Sequence, residues 1–330
     1  MSERIAIIGD GAMGTVCAML LASKGHAVTI WGAFRENIEA MARTRTNEKF
    51  LPGYSIPESI RLTHREDEVF AEATFVVSAV PCQHLRSAWS RLKEYVPRRV
   101  PVCSVSKGIE NETLLRPTQI IRDVVGDCRT AALSGPCIAN ELARCLPAGV
   151  VAACEDDTLA RHIQELFSTD WFRVYRKTDL LGVELAAATK NVVALAAGII
   201  DGLRVGDNCK AALLTRGLVE ITRLGVGLGA EKETFSGLAG MGDLVTTCIS
   251  PHGRNRSAGE LFGKGKKLDE VLASTASVIE GIPTTRSVMQ LARNHDIEMP
   301  ITQAVHDVVF DGKDPIVAIT ELMTRSLKAE

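Results

Sequence analysis

Three glycines near the N-terminus constrain the fold of this chain more than any other feature. Gly9, Gly11 and Gly14 form a GxGxxG pattern between an apolar run at residues 5–8 and a helical pattern that continues to Ser23. In a dinucleotide-binding βαβ unit, the first glycine allows a tight turn, the second lets the backbone approach a pyrophosphate, and the third lets the helix pack on the sheet. The helix N-terminus adds N–H groups and positive potential for phosphate. The pattern predicts a dinucleotide site, with a plain glycine-rich turn as the alternative.

Short β-branched runs alternate with helical patterns through the first half of the chain. Such runs lie at residues 5–8, 27–31, 74–80, 100–105 and 130–133, with candidate edge strands at 150–153 and 172–175. This alternation predicts a parallel sheet that is covered on both faces. After residue 178 the patterns are helical, beginning with residues 180–203. We therefore predict an α/β Rossmann-type parallel-sheet N-terminal domain (1–178) that binds dinucleotide, and an all-α C-terminal domain (179–330) that binds substrate.

Composition argues against several classes of function. The formal net charge is −2, which gives no overall attraction to nucleic acid or to an anionic membrane. The nine cysteines are scattered without CxxC spacing, so we predict no metal site, and reduced thiols in apolar runs favour the cytoplasm. The sequence shows no signal peptide, and no uninterrupted apolar run reaches the ~18 residues of a membrane helix. We therefore expect no membrane insertion.

The end of the second predicted strand bears on the type of nicotinamide cofactor. An Asp or Glu there would bind the ribose 2′-hydroxyl of NAD. The chain instead runs from Trp31 to Arg35 without an acid. Arg35 would face the 2′-phosphate of NADP, and the alternative is a solvated loop arginine. We predict NADP(H) as the preferred cofactor and keep NAD(H) as the alternative.

One lysine interrupts a long apolar helical pattern in the second half. Residues 184–194 read ELAAATKNVVA, so Lys190 and Asn191 lie between apolar turns. An unpaired ammonium in an apolar site is costly. Lys190 therefore either extends its amine into water or lines a binding site.

Two further segments follow predicted strands of the first half. Lys107 follows the strand at residues 100–105, where the ligands of doubly wound sheets bind. An exposed loop lysine is the alternative. The turn at residues 134–139 also follows a strand and would bring backbone N–H groups to an anion.

The helical half holds an acidic and a basic candidate. A glycine-rich segment at residues 237–244 presents one carboxylate, Asp243, and the run RNR at residues 254–256 stands on a short loop after Pro251. Arginine is a planar bidentate donor that is suited to phosphate. The alternatives for this run are a solvated basic face or a weak nucleic-acid patch. Because no aromatic residue other than Phe262 is interleaved there, we expect no nucleic-acid binding.

In their order and spacing, these segments resemble bacterial-type NAD(P)-dependent sn-glycerol-3-phosphate dehydrogenase. The resemblance covers almost the full length and is carried by residues 9–14, 104–110, 134–139, 184–191, 202–215, 237–248, 254–256 and 278–284. It implies a Rossmann domain followed by a helical domain, and the reversible reduction of dihydroxyacetone phosphate to sn-glycerol 3-phosphate, a precursor of membrane phospholipid. It also favours a homodimer.

The resemblance further implies roles for individual residues. Lys190 would donate and accept the proton, Lys107 would be a second, polarising cation, and Asp243 would orient the amine. The implied substrate contacts are Lys107, Gly135, Cys137, Lys190, Asn191, Asp243, Gly253, Arg254 and Asn255. The implied cofactor contacts are Gly9, Gly11, Gly14, Thr15, Val16, Arg35, Lys107, Ala139, Arg254, Val278 and Glu280.

At three positions the chain departs from the family pattern. Met13 stands where Trp is usual, Cys137 where Ser or Thr is usual, and Gly253 where Ser is common. Cys137 loses a hydroxyl donor and Gly253 loses a side-chain contact, so these departures affect two substrate contacts and leave the predicted reaction unchanged.

Two other functions fit parts of the sequence. A reductase for 3-hydroxyacids, ketopantoate or nucleotide sugars would share the glycine loop and a helix lysine, but the arginines at residues 254–256 favour a phosphorylated substrate. A catalytically silent dinucleotide-binding redox sensor or scaffold would lack the proton donor and the anion-binding residues.

Overall fold

The computed structural model describes residues 2–275 and 277–327, which form two compact units. The first comprises Met1–Lys107 with Leu115–Leu180, and the second Gly108–Leu114 with Leu181–Glu330. The short segment Gly108–Leu114, which lay inside the predicted N-terminal domain, thus groups with the helical unit. Its Ile109 is buried in the helical core, and Ser287 Oγ donates to the Ile109 carbonyl at 3.0 Å.

The strands of the described residues all lie in the first unit. They are β1 (Arg4–Ile8), β2 (Ala27–Trp31), β3 (Thr46–Asn47), β4 (Leu51–Ser55), β5 (Arg61–Thr63), β6 (Phe75–Ser78), β7 (Val102–Ser104), β8 (Thr130–Ser134), β9 (Ala148–Ala153) and β10 (Phe172–Lys177). Eight form one sheet in the order β10-β9-β8-β7-β6-β1-β2-β5, and β3 pairs with β4 in a separate hairpin. The sequence patterns predicted neither this hairpin nor β5.

The predicted parallel sheet is confirmed with one exception, because β8 and β9 run antiparallel. The connection between them holds only a four-residue helix, which returns the chain without a long crossover. The two strands predicted at the edge are present as β9 and β10, but β9 lies inside the sheet between β8 and β10, and β10 is at the edge. Alternate residues of β1 enter two different cores, one with Ile5 and Ile7 and the other with Ala6 and Ile8, so both faces of the sheet are covered.

The helices of the first unit connect and cover the strands. They are α1 (Ala12–Ser23), α2 (Arg35–Thr44), α3 (Glu66–Val69), α4 (Cys82–Leu92), α5 (Pro117–Val125), α6 (Ala139–Leu142) and α7 (Asp157–Phe167), with a 3₁₀ turn at Lys93–Tyr95. Strand β1 lies between β2 and β6, so the strand order reverses there, and ligands of such sheets bind beyond the carboxyl ends at that point.

Helices are the regular elements of the second unit, and no strand lies among its described residues. Its helices are α8 (Leu180–Leu203), α9 (Asp207–Gly227), α10 (Lys232–Ser236), α11 (Asp243–Ile249), α12 (Arg254–Gly263), α13 (Leu268–Ala273), α14 (Gly281–Asn294), α15 (Pro300–Phe310) and α16 (Pro315–Met323), with a π-helical turn at Leu238–Gly242. In length and composition α8 resembles a membrane span, with a mean hydropathy of 1.6, but 94% of that window is buried inside the structure. Burial inside a protein core accounts for its apolar character.

One loop prediction in this unit is wrong, because Arg254 begins α12 instead of standing on a short loop after Pro251. The glycine-rich segment before Asp243 is a π-helical turn that continues into α11. Neither helix start carries a side-chain N-cap, since Gly242 and Gly253 occupy those positions. The usual start signal, a Ser, Thr, Asp or Asn cap, is therefore missing from the sequence.

Candidate active site

Backbone conformation and packing require glycine at two of the three positions of the glycine loop. Gly9 has a φ of +117°, which side chains rarely adopt, and its N–H donates to the Trp31 carbonyl at 2.9 Å. A Cβ on Gly14 would lie 2.1 Å from the Gly9 carbonyl oxygen, so the start of α1 can pack here only with glycine. A Cβ on Gly11 would meet nothing within 4 Å. No protein neighbour explains Gly11, and the open space beside it fits a dinucleotide phosphate at the N-terminus of α1.

The two residues after the glycine loop point into the protein. The Thr15 hydroxyl donates to the Gly11 carbonyl at 3.0 Å and accepts from Asn47 Nδ2 at 2.8 Å. Val16 is buried in the core of the sheet. Both residues stand beside the predicted cofactor site, but the Thr15 side chain is hydrogen-bonded within the protein and the Val16 side chain is packed in the core.

Arg35 is the first residue of α2, immediately beyond β2. Its Nε donates to Glu39 Oε1 at 2.6 Å, and both side chains are largely exposed. The predicted 2′-phosphate ligand is therefore already paired with a carboxylate.

Lys107 and the turn after β8 lie together. Lys107 Nζ donates to the Gly135 carbonyl at 3.2 Å and lies 3.6 Å from Cys137 Sγ. Gly135 has a φ of +143°, and a Cβ there would lie 3.0 Å from Val150 Cα. Lys107 is half-buried, so the alternative of an exposed loop lysine is excluded, and Ala139 begins α6 just beyond Cys137.

Lys190 lies inside the helical unit with its amine paired. The residue is 5% exposed, and Nζ donates to Asp243 Oδ1 at 2.8 Å. The Asp243 carboxylate is also buried, which makes this a desolvated ion pair. A buried pair that is held by further hydrogen bonds can persist, whereas either charge alone would be strongly destabilising. The alternative in which Lys190 extends into water is excluded.

Thr247 is the site residue that the sequence patterns missed. Lys190 Nζ also donates to its hydroxyl oxygen, and Thr247 lies one helical turn after Asp243 on α11. The i, i+4 spacing puts the carboxylate and the hydroxyl on one helix face. The neighbouring Cys248 faces the core, where burial raises the pKa of its thiol to about 12, so it stays neutral.

The buried side chains of Asn191 and Asn255 form a hydrogen-bond chain in which the donor and acceptor of each bond are fixed. The Gly281 N–H donates to Asn255 Oδ1 at 2.9 Å, and Asn255 Nδ2 donates to Asn191 Oδ1 at 2.9 Å. Because a backbone N–H can only donate, the oxygen of the Asn255 amide must face Gly281. The NH₂ group of Asn255 then faces Asn191 and must meet the oxygen of that amide. The side-chain oxygen of Asn191 therefore accepts a hydrogen bond from Asn255, and the NH₂ group of Asn191 is oriented to donate one to a ligand. A donor next to Lys190 suits an anion or a hydroxyl oxygen.

Arg254 is exposed at the first position of α12. Its Nη1 donates to the Val278 carbonyl at 3.3 Å, which joins it to the segment before α14. Glu280 is the N-cap residue of that helix. At Gly253 a Cβ would lie 2.9 Å from the Thr247 carbonyl oxygen, so the chain has no room for the serine of the family pattern without a shift.

Arg256, two residues after Arg254, pairs with Asp201. Its Nε lies 2.7 Å from Asp201 Oδ2, and Lys210 Nζ lies 2.8 Å from the same oxygen. Arg256 therefore links α12 to the end of α8, and the view of residues 254–256 as a free basic face is wrong for this residue.

Comparison with known proteins places both units in one family. A model of the NAD-dependent glycerol-3-phosphate dehydrogenase N-terminus matches residues 4–160, and one of the C-terminus matches residues 179–320. The chain belongs to the glycerol-3-phosphate dehydrogenase family. The dehydrogenase is thus an oxidoreductase with a nicotinamide cofactor, and the predicted resemblance and fold class are confirmed.

Individual relatives agree with this assignment along the whole chain. A glycerol-3-phosphate dehydrogenase [NAD(P)+] of Salinibacter ruber is 48% identical over 99% of this chain and 96% of its own length. One from Citrifermentans bemidjiense is 45% identical over 100% and 99%. The crystal structure of the Coxiella burnetii glycerol-3-phosphate dehydrogenase superposes with a TM-score of 0.95 at 35% identity, covering 98% of this chain and 99% of that one. The ketoacid-reductase and silent-sensor alternatives are thereby set aside.

Proposed function

We propose that this dehydrogenase reduces dihydroxyacetone phosphate to sn-glycerol 3-phosphate and that Lys190 supplies the proton. The observation that carries the proposal is the buried amine of Lys190, which Asp243 and Thr247 hold on an otherwise apolar helix. A structural lysine would gain nothing from this position, because burial of an ion pair seldom stabilises a fold.

The protein and the cofactor divide the chemistry between them. When bound, the nicotinamide supplies a hydride from its C4 atom. The Lys190 ammonium gives a proton to the substrate oxygen as charge develops there, and the amine takes it back in the oxidative direction. Asp243 keeps Nζ in place and stabilises its charged form, and the Thr247 hydroxyl fixes a second direction of the amine. Lys107 is a second cation that would polarise the substrate.

Arg254 and Asn191 are our candidates for holding the substrate phosphate or its hydroxyls. Arg254 is exposed, and the Asn191 amide is oriented as a donor by Asn255. Binding of a remote phosphate aligns the carbonyl and thereby raises the rate as well as the affinity. We assign the backbone at Gly135 and Gly253 and the side chain of Cys137 to the same substrate.

We assign the cofactor to the glycine loop, with NADP(H) preferred over NAD(H). The support is the open space at Gly11, the N-terminus of α1 and the absence of an acid between β2 and Glu36. The remaining cofactor contacts that we propose are Thr15, Val16, Arg35, Lys107, Ala139, Arg254, Val278 and Glu280. Residues 1–178 would bind the cofactor, and residues 179–330 would bind the substrate.

We also propose a setting for the enzyme. The product is a precursor of glycerophospholipids, so the enzyme would supply their synthesis. All nine cysteines are free thiols, which supports a reducing compartment such as the cytoplasm. Apolar side chains exposed on α9 and α11, among them Val219, Val226 and Ile249, support a homodimer. We expect no membrane insertion and no nucleic-acid partner.

Lys190→Met tests the central assignment, because methionine keeps the apolar stem and removes the proton. We expect kcat for dihydroxyacetone phosphate to fall by about 10²- to 10⁴-fold, the usual contribution of general acid–base catalysis. Cofactor binding, followed by the fluorescence of the reduced cofactor, should persist. Oxidation of NADPH and NADH, monitored by absorbance, gives the rates.

Lys264→Met is the matched control. Lys264 lies in the same unit and pairs with Glu260 at 2.7 Å, but it is half-exposed and lies outside the proposed site. Its activity should equal that of the wild type. Turnover of Lys190→Met at more than a tenth of the wild-type rate would contradict the proton-donor role, and an inactive wild type would contradict the proposed reaction.

A further inference from the structure

The first unit places an unpaired cation close to the end of β2, on a segment that the sequence patterns did not connect with the cofactor. Lys49 lies in the turn between β3 and β4, in the hairpin that no pattern predicted. Its side chain is exposed, and no hydrogen bond or ion pair to Lys49 is found within residues 2–275 and 277–327. An unpaired ammonium at a dinucleotide site is available to an anionic ligand.

Aromatic rings flank this ammonium. Lys49 Nζ lies 5.9 Å from the ring centroid of Phe34 and 5.0 Å from that of Phe50. Phe34 stands between β2 and α2, where the adenosine of a dinucleotide is expected, and is 70% exposed. An exposed ring beside an ammonium presents a stacking surface and a cation together, as a phosphorylated adenosine requires.

The hairpin is attached to the glycine loop. Asn47 Nδ2 donates to the Asp10 carbonyl and to Thr15 Oγ1, at 2.8 Å in each case. Asn47 is buried, so these bonds fix the hairpin against the loop that would hold the pyrophosphate. The position of Lys49 is therefore tied to that of the cofactor site.

The charges around Lys49 also distinguish it from Arg35. Arg35 already pairs with Glu39 at 2.6 Å, so a phosphate on its guanidinium would also meet a carboxylate. Lys49 interacts electrostatically with Asp10, whose carboxylate accepts from Asn37 Nδ2 at 2.6 Å. A phosphate at Lys49 would thus approach an ammonium that is not in an ion pair, beside an acid that already has a hydrogen-bond donor.

We propose that Lys49, and not Arg35, is the residue that binds the 2′-phosphate of a 2′-phosphorylated adenine dinucleotide. The proposal rests on the proposed function in one respect, the binding of the dinucleotide at the glycine loop. Lys49 is then the residue that determines how far the enzyme distinguishes NADP(H) from NAD(H).

Two adenosine fragments test this assignment without the nicotinamide. Adenosine 2′,5′-bisphosphate and adenosine 5′-monophosphate differ only in the 2′-phosphate and would inhibit competitively against the cofactor. In Lys49→Met we expect the inhibition constant of the bisphosphate to rise by about 10- to 100-fold, as for the loss of one charge-assisted contact. That of the monophosphate should change by less than about twofold.

Two further variants serve as controls. Arg35→Met should weaken the bisphosphate no more than the monophosphate, because Arg35 would contact the cofactor away from its 2′-phosphate. Lys49→Arg should restore most of the bisphosphate binding. A larger selective loss in Arg35→Met would overturn the proposal. So would an equal loss of both fragments in Lys49→Met, which would mean that Lys49 acts on the adenosine or on the hairpin.

The fragments also separate this proposal from the proposed function. Faster turnover with NADH than with NADPH would contradict the cofactor preference, and the fragment constants would still decide the role of Lys49. Failure of both fragments to inhibit the wild type would overturn dinucleotide binding at the glycine loop, and this proposal with it.

Discussion

Two buried charged residues of the helical unit each have several hydrogen-bond partners. Lys190 is one, and Glu220 on α9 is another. The Glu220 carboxylate accepts from the N–H groups of Ile301 and Thr302, at 2.7 and 2.8 Å, and from the Thr302 hydroxyl. These donors lie in the first turn of α15, where N–H groups have no partner within the helix. Glu220 thus joins α9 to the N-terminus of α15.

Glu220→Gln should lower the free energy of unfolding by about 1–3 kcal/mol at neutral pH, because an amide replaces one of the accepting oxygens. Burial raises the pKa of Glu220, and its hydrogen bonds only partly offset this. A raised native pKa gives stability that is complete below the unfolded value of about 4.3 and is lost as the pH rises through the native value. Denaturant unfolding of both proteins between pH 4.5 and 7 measures the difference.

The stability advantage of the wild type over Glu220→Gln should therefore shrink as the pH rises. A stability advantage that grows with pH would mean that the hydrogen bonds lower the pKa of Glu220 by more than burial raises it. Glu321→Gln, at an exposed carboxylate of α16, is the control and should change the pH dependence little.

At the scale of elements, helices α8 and α12 cross in backbone contact. A Cβ on Gly198 would lie 1.9 Å from the Arg256 carbonyl oxygen, and one on Gly259 would lie 2.1 Å from that of Leu195. At Gly202 and Gly263, one turn further along each helix, a Cβ would lie 2.4 and 2.3 Å from a carbonyl oxygen of the opposite helix. The crossing holds the start of α12, with Arg254 and Asn255, against the helix that carries Lys190.

Gly259→Ala should destabilise the protein despite the better helix propensity of alanine, which is worth about 1 kcal/mol. The added methyl group would push the two helices apart. This should cost more than the gain in helix propensity, since overpacking in a tight core usually costs about 1–3 kcal/mol. We expect the melting temperature to fall by several degrees, measured by circular dichroism. Ser257→Ala, at an exposed position of the same helix, should leave it nearly unchanged. An unchanged or higher melting temperature for Gly259→Ala would contradict the close crossing.

Strong local patterns predicted much of the fold, whereas contacts between distant residues were not predictable. Helix α8 begins and ends where the apolar pattern does, and β1 and α1 lie where the glycine loop requires. The hairpin of β3 and β4 escaped prediction because it is short and β4 contains Pro52 and Gly53, which usually mark loops.

The candidate site shows the same division. Lys190, Asp243 and Asn255 were predicted from unusual residue types and from family resemblance. The partnership of Lys190 with Thr247 spans 57 positions, and a threonine in a helix has no distinctive pattern. Only the i, i+4 spacing from Asp243 would have pointed to it. The ion pair of Arg256 with Asp201 was missed for the same reason.

At the scale of the whole molecule, association remains a prediction. The mass measured by light scattering should be twice the chain mass of 35.6 kDa. The physical reason is the exposure of apolar side chains on α9 and α11, which an isolated chain would leave in water. A single-chain mass at micromolar concentration would contradict the homodimer, and high salt, which screens ion pairs, should not dissociate it.

The segment Gly108–Leu114 belongs to the helical unit although it lies within the sequence of the sheet unit. The chain thus leaves the sheet unit and returns to it before α8 begins. Neither unit is encoded by one uninterrupted stretch of gene. Recombination at a single breakpoint near residue 180 would deliver a helical unit without Ile109, which is buried in its core. Exchange of substrate-binding units between related enzymes would require this short segment to be inherited with them, so the two halves are expected to diverge together.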